Sequence, residues 1–369
     1  MTKRENANAS TKSALVHENE GLQKAPQSAN GCRIDARQRK DEDPHAVDMF
    51  AVARTAQDTD AAPFKTQGSV RLMAPAKVNL YLEIGPRRSD GYHEATTVMH
   101  ALALHDVVRM RLVPGSSDGG LAIDLTCRSC EGIAPLDVAP EDNIAGKAVR
   151  RLAAALGREE NETLLVNVEK RIPAEAGLGG GSSDAAAALL GAASLWGVDA
   201  GDPLLRETAR SLGADVAFFL HGGCACFGGV GDVFEHDLDP LRSFVVLVKP
   251  SGGVSTAAAY RAFDESPVAL EPCDRAAVLA ARRAQDVPLG NNLTAASESL
   301  LPELAEIRQW LTARDEVRGV LLSGSGSATF ALVETFSAAS RVVVAARMRG
   351  WWARATSFSP AGAALMPTR

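Results

Sequence analysis

Apolar residues recur at every second position, twice in succession, across residues 69–84 (SVRLMAPAKVNLYLEI). Val70 and Leu72 lie before Pro75, and Val78, Leu80, Leu82 and Ile84 after it, a pattern that predicts a strand broken by a turn. Residues 107–113 (VVRMRLV) and 164–168 (LLVNV) read as further strands. Residues 143–156 (NIAGKAVRRLAAAL) place apolar side chains at helical spacing, with Gly157 as the stop. An Ala/Leu-rich helix follows over 183–196, ended by Gly197. The apolar run 243–248 (SFVVLV), closed by Lys249-Pro250, predicts the first strand of a second domain. Behind it come a helix over 301–311, a strand pair flanking 319–330 and a helix near 338–349. Strands and helices mix without a regular strand–helix–strand cadence, so the expected fold class is α+β.

Residues 1–67 follow neither period. Their bulky apolar residues are few, 37–43 (RQRKDED) is densely charged, and Ala, Ser, Asn and Gln fill much of the rest. Such a segment buries too little surface to offset its ordering entropy. It is expected to be a disordered extension, or a start assigned too early, ahead of one domain over 68–240 and another over 241–369. The N-terminus lacks the apolar core of a secretory signal, and no apolar run is long enough to span a bilayer, which points to the cytoplasm.

Composition narrows the function classes. Over 369 residues, 46% apolar and 23% charged residues are the balance of a globular protein. A net charge of −6 lacks the basic surplus of a nucleic-acid binder. A small phosphorylated ligand stays compatible, because a few amides and one or two cations can hold it. The six cysteines (Cys32, Cys127, Cys130, Cys224, Cys226 and Cys273) read as scattered reduced thiols. Four of them could supply thiolates to zinc, but the gap between Cys224 and Cys226 is tighter than zinc sites use.

The densest chemistry lies at 173–184, PAEAGLGGGSSD, which runs directly into AAAALLGAASLW. Gly177, Gly179, Gly180 and Gly181 remove Cβ atoms where backbone would wrap closely around a ligand. Ser182, Ser183 and Asp184 then lead into the helix, whose N-terminus offers unpaired N–H groups and about half a positive charge. That arrangement holds phosphate. The spacing is not that of a P-loop, because no Lys follows the glycines, nor of a dinucleotide fingerprint, whose sixth position is Ser182 here. A nucleophile elbow is also absent. The plainer alternative is a flexible Gly-rich turn ahead of a helix. A second turn, LSGSGS at 322–327, could close over the same ligand from the other domain.

Three segments together, PAKVNLYL at 75–82, the loop P-x3-GLGGGSSD-AAAA and LSGSGS, resemble the GHMP kinase superfamily. That superfamily includes galactokinase, homoserine kinase and mevalonate kinase. The stretches 74–94 (APAKVNLYLEIGPRRSDGYHE), 141–148 (EDNIAGKA), 169–186, 212–223 (LGADVAFFLHGG) and 291–294 (NNLT) are most similar to the branch whose acceptor carries a cytidine diphosphate. The likeness runs from about residue 70 to the C-terminal region and implies several things at once. ATP would be the phosphoryl donor, with Mg²⁺, and a cytidylylated methylerythritol the small-molecule acceptor. No nucleic-acid or membrane partner is implied, and the chain would be a monomer or homodimer. The fold implied is a two-domain GHMP kinase, with a ribosomal protein S5 domain 2-like first domain and a ferredoxin-like second.

Carried onto this sequence, the resemblance makes Lys77 and Asp215 catalytic. Asn79, Tyr92 and His93 fall where the cytidine diphosphate part is held, and Tyr260, beyond the V-S-T of 254–256, falls where a ring stacks on cytosine. Asn143 and Lys170 fall near the nucleotide. The ATP phosphate loop maps to Pro173, Ala174, Glu175, Ala176, Gly177, Leu178, Gly179, Gly180, Gly181, Ser182 and Ser183. The metal ligands stay open, with a serine hydroxyl such as Ser183 as a candidate for Mg²⁺. Glu175 stands where the family usually has other residues, and its negative charge is expected to point away from the phosphates. Read without the resemblance, Lys77 is an exposed strand charge and Asp215 a helix cap or turn residue. His93 is then a surface histidine after the Asp90-Gly91 turn, and the two tyrosines are core aromatics.

Overall fold

Strand β1 (Ser69–Arg87) is the longest shared edge in the structure, pairing antiparallel along nearly its whole length with β2 (His93–Pro114). The computed structural model describes residues 68–367 apart from 116–118, 137 and 159–160, so the expectations for 1–67 lie outside the described residues. The chain divides into units 1–31 and 32–369, and every described residue belongs to the second.

On its far side β2 pairs with β4 (Glu162–Lys170), which pairs parallel with β3 (Leu121–Ser129). β5 (Cys224–Gly228) joins β2 and β6 (Val233–Asp237). The expected strand 107–113 is only the second half of β2. Residues 95–102 ahead of it are buried throughout, so they show no alternation to read. Helices α1 (Ile144–Ala155), α2 (Gly180–Trp196), α3 (Pro203–Leu212) and α4 (Ala214–His221) cover one face of this sheet, with Leu72, Val108, Val149, Leu189 and Phe218 in the core between.

β7 (Phe244–Lys249) opens the second sheet and is followed by α5 (Thr256–Glu265), α6 (Pro272–Ala280), β8 (Gly290–Asn291), α7 (Thr294–Leu300) and α8 (Glu303–Thr312). β9 (Val317–Leu322), β10 (Thr329–Val333), α9 (Phe336–Met348) and β11 (Trp352–Ser357) complete it, in the spatial order β11-β7-β10-β9. This strand–helix–strand–strand–helix–strand arrangement is ferredoxin-like. One face packs on α8 and α9. The other shares a core with the first sheet, where Val78, Leu80 and Val98 meet Val245, Leu247 and Phe330. The short strands β8 and β12 (Ala364–Leu365) flank β1 in the first sheet.

β1 is not broken at Pro75. It continues, but its register against β2 slips between Pro75 and Lys77 and again between Asn79 and Tyr81. Pro75 has no N–H to give the ladder, so the interruption falls where the pairing is weakest. The slip changes which residues face which layer. Val70, Leu72 and Ala74 enter the helix-side core, whereas Ala76, Val78 and Leu80 enter the core between the two sheets. The helix side of the strand is thereby handed to Lys77 and Asn79.

Candidate active site

Lys77 and Asn79, two residues apart on one face of β1, open into a cavity of about 670 Å³. Lys77 is only 4% exposed, and its ammonium donates to Asn79 Oδ1 at 2.8 Å while standing 3.5 Å from Asp215 Oδ2. Asn79 Nδ2 in turn donates to Thr97 Oγ1 at 2.9 Å, and the Thr97 hydroxyl to Tyr81 O at 2.8 Å. Asn79 therefore aims the ammonium while itself lining the cavity. Asp215 is the second residue of α4, and its side chain stays 36% exposed on the cavity side. Neither end of this chain of contacts is the plain surface charge or turn residue that local sequence suggests.

The glycine-rich loop forms the cavity's opposite wall. Gly177 and Gly179 take positive φ, +69° and +71°. A Cβ on Gly179 would stand 2.7 Å from the Phe219 ring and 3.2 Å from Lys77 Cγ, so the loop comes this close to the lysine only without a side chain. Leu178 O accepts the Lys77 N–H at 3.0 Å, tying loop to strand. Gly179 caps α2 without any side-chain hydrogen bond, which leaves the first N–H groups of the helix to a ligand. Pro173 through Ser182 all line the cavity. Ser183 does not: it is fully buried with an unpartnered hydroxyl, so Ser182 is the serine presented to a ligand. Glu175, in left-handed conformation at φ 48°, is exposed and directs its carboxylate at Gly253, where a Cβ would lie 2.2 Å away.

Lys170 and Asn143 also line the cavity, but both are occupied by protein partners. Lys170 Nζ donates to Asp184 Oδ2 at 2.6 Å and to Asp106 Oδ2, and Asp106 Oδ1 accepts the N–H groups of Arg171 and Ile172. Burial alone would lower the lysine, but Asp184 and Asp106 overcome it and hold the ammonium above its ordinary range. Burial pushes the Asp184 carboxyl up. Asn143 is the N-cap of α1, its Oδ1 accepting Ala145 N–H at 2.9 Å. The second turn does not close over the cavity as a flap. It is bolted to the glycine loop, with Ser323 Oγ donating to Gly177 O (2.9 Å), Ser327 N to Glu175 O (3.0 Å) and Ala328 N to Ala176 O (3.0 Å). Only Gly324 and Ser325 of it reach the lining.

At the remaining end Tyr260 faces the cavity from α5. Burial and then the nearby Asp215 push its phenol up to about 12, so it stays neutral. His93 packs behind it, ring centroids 5.5 Å apart at 52°, with Nε2 at 2.7 Å from Asp264 Oδ1. Neither His93 nor Tyr92, which is 66% exposed beside the Asp90-Gly91 turn, is among the residues lining the cavity. Thr97, Asp106 and Asp264 escape sequence reading: each acts through a partner distant in the chain, and none sits in a local motif.

Residues 143–223 match the GHMP kinases N terminal domain, and residues 276–349 match GHMP kinases C terminal. A 4-diphosphocytidyl-2-C-methyl-D-erythritol kinase of Desulfitobacterium hafniense (strain Y51) is 38% identical over 289 residues, 77% of this chain and 94% of that protein. The chain belongs to this kinase family. A second 4-diphosphocytidyl-2-C-methyl-D-erythritol kinase, of Polaromonas sp., is 38% identical over 70% of this chain and 82% of its own. The crystal structure of a 4-(cytidine 5'-diphospho)-2C-methyl-D-erythritol kinase superposes with a TM-score of 0.61 at 36% identity, covering 78% of this chain and 99% of that one. Homoserine kinase of Cytophaga hutchinsonii shares the fold, with a TM-score of 0.59 at 19% identity over 83% of this chain and all of its own. The glycine loop and Asp215 fall inside the first GHMP match and the 322–327 turn inside the second, while β1 with Lys77 precedes both.

Proposed function

We propose that the chain transfers a phosphoryl group from ATP to the 2-hydroxyl of 4-diphosphocytidyl-2-C-methyl-D-erythritol, on the non-mevalonate route to isoprenoid precursors. The observation that carries this reading is the 3.5 Å approach of Lys77 Nζ to Asp215 Oδ2 beside an uncapped helix N-terminus, in a member of this kinase family.

Phosphoryl transfer asks chiefly for positioning and for neutralising charge on the moving group. The free N–H groups at the start of α2 receive the ATP phosphates. Asp215 accepts the proton of the acceptor hydroxyl as its oxygen bonds to the γ-phosphorus and the γ-phosphorus–oxygen bond to ADP breaks. Lys77, aimed by Asn79, stands beside the Asp215 carboxylate and neutralises charge on the transferring group. Among the described residues no three or more His, Cys, Asp or Glu gather to hold a metal. Ser182 would hold Mg²⁺ from the protein side, and the bound ion would supply further charge neutralisation.

Tyr260 stacks on the cytosine in this reading, with His93 behind it. The chain would work in the cytoplasm on small molecules, as a monomer or homodimer and without nucleic acid. Among the described residues no helix is long and apolar enough to cross a membrane.

The test is ADP release measured with the cytidylylated alcohol, mevalonate and homoserine side by side. Turnover confined to the first is the expected result. Turnover with mevalonate or homoserine instead would assign a sister activity, and none with any of the three would leave a nucleotide-binding protein without catalysis.

A further inference from the structure

The Asn291-Asn292 pair lies outside the lining of the cavity, yet both carboxamides are buried and fully engaged. Asn292 imitates a strand neighbour for β1: its Oδ1 accepts Ile84 N–H at 2.9 Å, and its Nδ2 donates to Ile84 O at 2.9 Å and Val268 O at 3.1 Å. β8 pairs parallel with β1 just before this, Tyr81 opposite Gly290 and Leu82 opposite Asn291. Asn291 reaches the other way. Its Nδ2 donates to Leu322 O at 2.9 Å and Gly324 O at 2.7 Å, while its Oδ1 caps Leu293 N–H at 3.0 Å. Ser297, fully buried, adds a donation to Ser325 O at 2.9 Å.

Two adjacent carboxamides thus join the strand that carries Lys77 and Asn79 to the turn that grips the carbonyls of Glu175, Ala176 and Gly177. At the meeting point Gly324 lies against both sides of the cavity. A Cβ there would be 3.5 Å from Asn79 Oδ1 and 3.6 Å from Gly177 O. We propose that Asn291 is a positioning residue for phosphoryl transfer: by holding the 322–324 carbonyls it sets the distance between the Lys77–Asn79 pair and the phosphate loop. Asn292 anchors that clamp to β1. The inference rests on the kinase reading for its kinetic arm only.

Asn291→Asp is the discriminating variant. It keeps the shape and the cap to Leu293 but replaces both donations with an oxygen facing two carbonyl oxygens. The expected result is a kcat lowered roughly 10- to 100-fold, the cost of a small misplacement of reacting groups, with both KM values little changed. Hydrogen exchange should quicken at the Ser327 and Ala328 amides, which bond the glycine loop, and stay unchanged in α9. Unchanged exchange at 327–328 would overturn the clamp whatever the activity. So would a loss of activity matched by an equal loss of folded, nucleotide-binding sites. If Asn291→Asp does not fold, Ser323→Ala removes the far end of the same linkage, and its kcat and exchange are judged by the same outcomes. A wild type that turns over no cytidylylated alcohol would refute the kinase reading while the exchange measurement still decides the clamp.

Discussion

Asp264 Oδ1 lies 2.7 Å from His93 Nε2, and Tyr260, four residues earlier on the same face of α5, leans on the same imidazole. One helix therefore supplies both the ring that faces the cavity and the carboxylate that fixes the group behind it. Tyr260→Ala should raise the KM for the cytidylylated substrate about 10-fold or more, the worth of one stacking contact, and leave the KM for ATP nearly unchanged. Asp264→Asn should move the same constant in the same direction by less. Initial rates with each substrate varied in turn check this, and equal losses for both would remove the stacking role.

The Lys77–Asp215 contact makes a sharper demand. Asp215→Asn keeps the volume but removes the proton acceptor, so kcat should fall by about 1,000-fold or more, while calorimetry still detects nucleotide binding. Lys77→Met should give a comparable loss, since it removes the cation beside the transferring group. Retention of more than a tenth of wild-type activity in Asp215→Asn would refute its role.

Gly179→Ala tests the closeness of the loop. Alanine at φ +71° carries about 1–2 kcal/mol of backbone strain, and its methyl would meet the Phe219 ring. Relief requires the loop to move off Lys77. ATP affinity should drop at least as sharply as stability, measured by nucleotide titration and chemical denaturation on one preparation.

His100 sets a dependence of stability on pH. Its ring is fully buried, with Nδ1–H donating to Ala101 O at 3.0 Å and Nε2 accepting Leu241 N–H at 3.1 Å, and burial pulls it down from 6.5 to about 3. The unfolded chain binds a proton near pH 6.5 that the folded chain refuses until about pH 3. The stability this contributes is full above pH 6.5 and erodes as pH falls toward 3, by at most about 1.4 kcal/mol per unit. Denaturation midpoints between pH 5 and 7.5 should show this slope, and His100→Asn should flatten it while lowering stability throughout.

What was legible in the chain follows from the range of the forces involved. The glycine loop and the helix behind it could be read because glycines, serines and an alanine run lie side by side, and the structure keeps them together. That Lys77 and Asn79 share a face was also readable from their spacing. Which face could not be read, since Pro75 announces an interruption without saying whether the strand stops or slips. The fastening of 322–328 onto 175–177 was hidden as well, because it uses backbone carbonyls and two serine hydroxyls that any loop could offer. Asp264 looks like a solvated acid at the end of a helix until His93 is seen beside it. Tyr92 matches a family pattern and stands exposed beside a turn, outside the residues that line the cavity.

The slip in β1 makes the active site a matter of counting as well as chemistry. Without the slip, unbroken alternation of the same residues would keep the even-numbered positions 76, 78 and 80 on the helix side with Val70, Leu72 and Ala74. The ammonium and carboxamide would then turn into the oily seam between the two sheets, and Val78 and Leu80 would look out onto the phosphate loop. No functional group would be lost from the chain, yet the kinase would be inside out along this strand.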